Sequence, residues 1–82
     1  MNKYRREELL DVVDLLGDAI DRLSEIRDEE QDAFDAMPEG LQESSRGDAM
    51  QDAIDTLDGF EDAIADVQSR IEAYAVPKKK KK

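Results

Sequence analysis

Carboxylates are the only chemically competent side chains that this sequence holds in quantity. Its 82 residues include 22 aspartates and glutamates but no histidine and no cysteine. Asp11, Asp14, Asp18, Asp21, Glu25, Asp28, Asp32 and Asp35 follow one another at intervals of three or four. On an α-helix that interval stacks side chains along one side, so these groups form one straight stripe. Two chemistries are open to such a stripe: holding divalent cations, or pairing with a basic surface. Helix folding itself asks for neither, because aspartate is a poor helix former and glutamate would serve solubility at less cost.

The cation reading can be weighed by spacing. Glu25 with Asp28 and Glu29 with Asp32 supply half of the double acidic pair by which all-helical nucleotide pyrophosphatases hold magnesium. The ladder forces such pairs everywhere, on the side facing away from the apolar residues, and no Lys, His or Asn cluster stands beside them to handle a phosphate. A calcium loop centred on Gly59 would need acids at its first and last ligand positions, where Ile54 and Ala65 stand. Without histidine, the commonest general base and metal ligand is missing. Without cysteine there is no disulfide, and structural zinc is not expected. The expectation is a non-enzymatic protein with no catalytic residue, no metal and no cofactor.

The elements that position the carboxylates follow from the apolar residues. With Leu9 at heptad position a, the a positions are Leu9, Leu16, Leu23, Glu30 and Met37. The d positions are Val12, Ala19, Ile26 and Ala33, and the e positions add Val13, Ile20 and Phe34. This is a wide apolar face, broader than a two-stranded seam needs, with the acidic ladder opposite at c and f. Further on, Met50, Leu57, Ile64 and Ile71 fall at a, Ala53, Phe60, Val67 and Tyr74 at d, and Ile54 at e. Asp48, Asp55 and Asp62 then occupy f, and Asp52 and Asp66 occupy c.

The pattern predicts one helix over about 3–35, a turn over 36–44 and a second helix over about 45–75. Pro38 and Gly40 break the first helix. Ser45 with Asp48 reads as a capping-box variant, and Leu41 is expected to fold back over the end of the apolar face. Gly17 and Gly59 fall on the outer faces. Arg27 and Glu30 interrupt the apolar face and suggest a polar layer fixing register between helices.

Two helices of similar length joined by a short turn make an antiparallel, coiled-coil-like hairpin, so the fold class is all-α. A chain this short struggles to enclose a core alone, and neither helix can cover the other's full apolar width. The expectation is a homodimer forming a four-helix bundle, with Leu9, Val13, Leu16, Ile20, Leu23, Phe34, Ile54, Leu57, Phe60, Ile64, Val67 and Ile71 at the oligomer interface.

Charge bounds the partners. The net charge is −10, yet residues 1–77 hold seven basic and twenty-two acidic groups, a net −15, with Lys78, Lys79, Lys80, Lys81 and Lys82 following as a basic tail expected to be disordered. Such a body repels nucleic acid and anionic membrane and is drawn to a basic protein. Two readings of the tail stay open, a grip on nucleic acid or a plain solubility tail, and the body itself is not expected to bind nucleic acid. No apolar run is long enough to span a bilayer and no secretory leader is visible, so the expected location is cytoplasmic.

The expected partner-binding residues are Asp11, Asp14, Asp18, Asp21, Asp28, Asp32 and Asp35, with Asp48, Asp52, Asp55, Asp62 and Asp66. Spaced in rows on a rigid rod, they suit mimicry or inhibition as one mechanism, with a charge density near that of a nucleic acid in a side-by-side dimer. Two other readings stay open. One is that the acidic surface serves only solubility, the other that it is a salt adaptation, as one lysine in the body against thirteen aspartates suggests. In either case the apolar face would take the partner, as in a structural or assembly module.

The stretch EEQDAFDAMPEGLQES at 29–44, continued by RGDAMQDAID at 46–55, resembles a segment of small acidic helical proteins of bacteriophages. The resemblance covers about a third of the chain, centred on the turn. It implies a phage or prophage origin and a host-cytoplasmic setting, and it supplies no catalytic residue.

Overall fold

The structure, a computed structural model, describes residues 1–76. They are all-α: α1 spans Lys3–Asp35, α2 Glu39–Gln42 and α3 Ser45–Ala75, with no strand among the described residues. The lysine tail expected at 78–82 lies outside the described residues.

Caps set the boundaries. Asn2 is extended, and its side-chain oxygen accepts from the Arg5 N–H at 2.8 Å, the usual way to satisfy a helix's first donors. α1 closes with the Ala36 N–H on the Asp32 carbonyl, just ahead of Pro38, which has no N–H to continue it. The Pro38 carbonyl accepts from Leu41 and Gln42, starting the single turn of α2.

The cap of α3 is Ser44, one residue before the expected Ser45. The Ser44 hydroxyl accepts from the Gly47 N–H at 3.4 Å and donates to the Leu41 carbonyl. Ser44 is extended, so its hydroxyl reaches the first turn, whereas Ser45 is already helical. Gly47 has no room for a side chain, because a Cβ would lie 2.7 Å from the Leu41 carbonyl oxygen and nearer still to that of Gln42. Glycine therefore lets the end of α2 lie directly on α3. Leu41 does not cover the apolar face as expected and is half exposed. Gln42 closes that end, its side-chain amide donating to the Phe34 carbonyl at 3.0 Å.

α1 lies along α3, with rising numbers in one meeting falling numbers in the other. Val13 meets Gln68, and Arg27 meets Asp58 and Glu61. The molecule is a plank of 62 × 23 × 15 Å, two helices wide and one thick.

The seam uses only part of the expected apolar face. The least exposed positions on α1 include Leu9, Val13, Leu16, Ile20, Leu23, Arg27, Glu30 and Phe34. On α3 they include Met50, Ile54, Leu57, Glu61, Ile64, Gln68, Ile71 and Ala75. Each set alternates steps of three and four, the mark of a coiled-coil seam, and combines the a and e positions defined above. The d positions flank it, and Val12, Ile26, Phe60, Val67 and Tyr74 are all exposed. The physical reason is that each helix carries two adjacent apolar stripes, and only one of them meets the other helix. Burial is correspondingly thin. Val13, Ile54 and Ala75 are the only buried hydrophobic residues among those described, and no large side chain is fully enclosed.

Candidate partner-binding surfaces

All twelve aspartates expected to bind a partner are exposed. On α1, Asp11, Asp18 and Asp32 form one row, and Asp14, Asp21, Asp28 and Asp35 form the next. On α3, Asp48, Asp55 and Asp62 align beside Asp52 and Asp66. Three of the twelve are engaged by side chains. Asp28 Oδ1 lies 3.3 Å from Arg27 Nη2, Asp66 Oδ2 lies 3.1 Å from Arg70 Nη2, and Asp35 accepts from Gln31 Nε2 at 3.0 Å. The other nine make no ion pair or side-chain hydrogen bond among the described residues.

Asp32 and Asp35 stand in the closing turns of α1, where the helix dipole disfavours negative charge, while Lys3, Arg5 and Arg6 stand at its opening, where it disfavours positive charge. Asp48, in the first turn of α3, is the one member of the set at a favourable helix end.

Two polar contacts cross the seam. Arg27 Nη1 donates to Asp58 Oδ1 at 3.0 Å and to Glu61 Oε1 at 3.2 Å, while Nη2 reaches Ser24 Oγ and Asp28 Oδ1. Glu61 Oε2 is also 3.2 Å from Nη1 but has no hydrogen-bond geometry, so it gains attraction without a directed bond. The hydrogen bond to Asp28 does most to hold the Arg27 guanidinium above its ordinary value. Burial opposes it, while the charges of Glu61 and Asp28 and the bond to Asp58 add to it. Arg27 thus forms the polar layer expected of it, but across the seam with α3. Glu30 makes no such bond among the described residues.

The second contact is Gln68 Nε2 donating to the Val13 carbonyl at 2.9 Å. A Cβ on Gly17 would lie 3.1 Å from that nitrogen. Contrary to the expectation of an outer face, Gly17 lies beside the seam. It is the bare patch on which the glutamine lies.

Of the twelve residues expected between copies, ten line the seam between α1 and α3. Phe60 and Val67 instead lie on an open face with Val12, Leu15, Ile26 and Tyr74. Leu15 and Tyr74, 65% and 68% exposed, are large apolar groups left in water without a covering neighbour. Sequence reasoning missed Leu15 as a surface residue, and missed Glu61 and Gln68 as seam residues. Their signal was the strict three–four alternation, visible only if charged residues are allowed inside the seam.

Where α1 begins and α3 ends, a cleft of about 540 Å³ is lined by Lys3, Arg6, Glu7, Leu10, Ala75 and Val76. Among the described residues, no group of three or more carboxylates converges to hold a metal ion. No described helix is long and apolar enough to cross a membrane. No family model matches the chain, and comparison with curated proteins and with solved structures gives no match.

Proposed function

We propose that this chain is a small acidic binding protein, non-enzymatic and of bacteriophage origin, that engages a basic nucleic-acid-binding protein through its carboxylate rows. In this reading its unit is an antiparallel helical hairpin that pairs with a second copy into a four-helix bundle. The observation that carries the proposal is the set of nine exposed aspartates with no partner among the described residues. Asp32 and Asp35 add to it, because charges that work against their own helix end are retained for something other than helix stability.

The magnitudes suit nucleic-acid mimicry. A net −15 over the 62 Å length is one charge per about 4 Å, and a side-by-side pair carries one per about 2 Å. Duplex DNA carries one per about 1.7 Å. Short aspartate side chains hold that charge close to the backbone and lose little rotamer freedom on binding. Association is then fast and falls with salt.

The exposed Leu15, Phe60 and Tyr74 favour a second reading, in which the apolar face takes a foreign partner. Competition for DNA between this protein and host nucleic-acid-binding proteins at low salt tests the first reading. Displacement that is lost when Asp14, Asp21 and Asp28 become Lys supports it, and no displacement of any such protein refutes it. Leu15→Asp is the informative change for the second reading, since Leu16 belongs to the intrachain seam.

A further inference from the structure

A second stripe on each helix is as regularly spaced as the seam, apolar at its centre and charged between. On α1 it runs through Arg5, Glu8, Val12, Leu15, Ala19, Arg22, Ile26 and Glu29, again alternating steps of three and four. On α3 it passes through Thr56, Phe60, Ala63, Val67, Arg70 and Tyr74. At 100° per residue, this stripe lies about a quarter-turn from the seam on each helix.

In an antiparallel pair, equivalent positions flank the seam on the same side. Ser24 and Asp58 flank it on one side, and both reach Arg27. The second stripes of α1 and α3 must therefore open together on the other side. Thirteen aspartates decorate this chain, and none of them falls on that face. Four of the six arginines do: Arg5, Arg22, Arg46 and Arg70.

We infer that this face, centred on Val12, Leu15, Ile26, Phe60, Val67 and Tyr74, is where a second copy of the chain docks. The inference rests on the self-pairing reading above and gives it a surface different from the one the heptads first suggested. Three observations select a second copy over a foreign occupant. Two parallel seams a quarter-turn from an existing seam are the geometry of a four-helix square, which another helix pair of the same length completes.

The rim charges also match. Arg22 lies 3.7 Å from Glu25, and Arg70 lies 3.1 Å from Asp66, each on its own helix and each exposed. Arginines edging the face thus stand beside the acidic rows that border it, and a second copy brings the same rows to the opposing rim. The basic partner proposed for the carboxylates gains nothing from a face with four arginines and two glutamates. Finally, a face about 45 Å long and about 20 Å wide offers about 900 Å² per copy, and a stable dimer needs about 800 Å².

The test is sedimentation equilibrium of the full chain at micromolar concentration, beside Leu15→Glu and Phe60→Glu, with circular dichroism confirming that both variants stay helical. A wild-type dimer and monomeric variants are expected. Dimeric variants would overturn the face while leaving self-pairing intact, and a monomeric wild type would overturn both. Neither outcome touches the binding of a basic partner, which the DNA competition reads separately. Should a variant unfold, thiol labelling decides. In this cysteine-free chain, Ala63→Cys should react on the order of tenfold more slowly than its exposed neighbour Asp62→Cys. Equal rates would overturn the assignment.

Discussion

Gln68 reaches across from α3 to share the Val13 carbonyl, donating to it at 2.9 Å. That carbonyl already faces the Gly17 N–H four residues on, so the glutamine uses its second lone pair. The bare Gly17 leaves room for it, since a Cβ there would stand 3.1 Å from the amide nitrogen. A glycine that costs about 1 kcal/mol in helix propensity is thus retained for a contact between helices.

Gly59 has open space around its Cβ position, so Gly59→Ala should stabilise the fold by about 0.5–1 kcal/mol, raising Tm by several degrees. Gly17→Ala should gain less, because its methyl group presses on the Gln68 amide, which must shift by a few tenths of an ångström. Thermal melts followed by circular dichroism give both values, and equal gains would remove the role assigned to Gln68.

Gly47→Ala should destabilise by about 1–3 kcal/mol, since the new methyl group collides with backbone rather than with a flexible side chain. Denaturant unfolding with an unchanged slope would report this as a stability loss in the turn.

Arg27→Met should destabilise more than Arg22→Met, because it leaves Glu61 in the seam without its counter-charge, whereas Arg22 is a surface group. Adding Glu61→Leu to Arg27→Met should restore part of the loss, which a double-mutant cycle measures. The pH sign follows from the raised value of Arg27. Its contribution is present at all pH below the ordinary guanidinium range and is lost only as pH rises through the raised value, so this group adds no slope near neutrality.

Salt should act in opposite directions on fold and binding. Aligned aspartate rows repel one another, so Tm should rise as sodium chloride screens them. Affinity for a basic partner should fall over the same range. A Tm independent of salt would show that the rows exert little force on one another.

The helices were legible because apolar residues recur at helical intervals between Asn2 and Pro38 and again after Ser44. The seam's phase was not legible from apolarity alone. Val12, Ile26, Phe60 and Val67 are as hydrophobic as the residues that won, so the heptad assignment fell between two stripes. The discriminating residues were polar. Arg27, Glu61 and Gln68 look like breaks in a hydrophobic pattern, yet they are where the helices recognise one another. Ser44 was missed in favour of Ser45 because α2, a single turn, fixes which serine is extended, and such a turn leaves almost no periodic trace. The outward rows were the simplest to read, since a carboxylate ladder at helical spacing must lie opposite the greasy side.

The fit of Gly47 beneath the Gln42 carbonyl also bears on how copies of the chain can meet. With Pro38 lacking an N–H and Ser44 bonded both ways across the bend, straightening the connection into one continuous rod would cost these contacts. Trading arms between molecules is disfavoured at that joint. Self-pairing as proposed would then join chains that are already folded, like finished boards laid flat against each other.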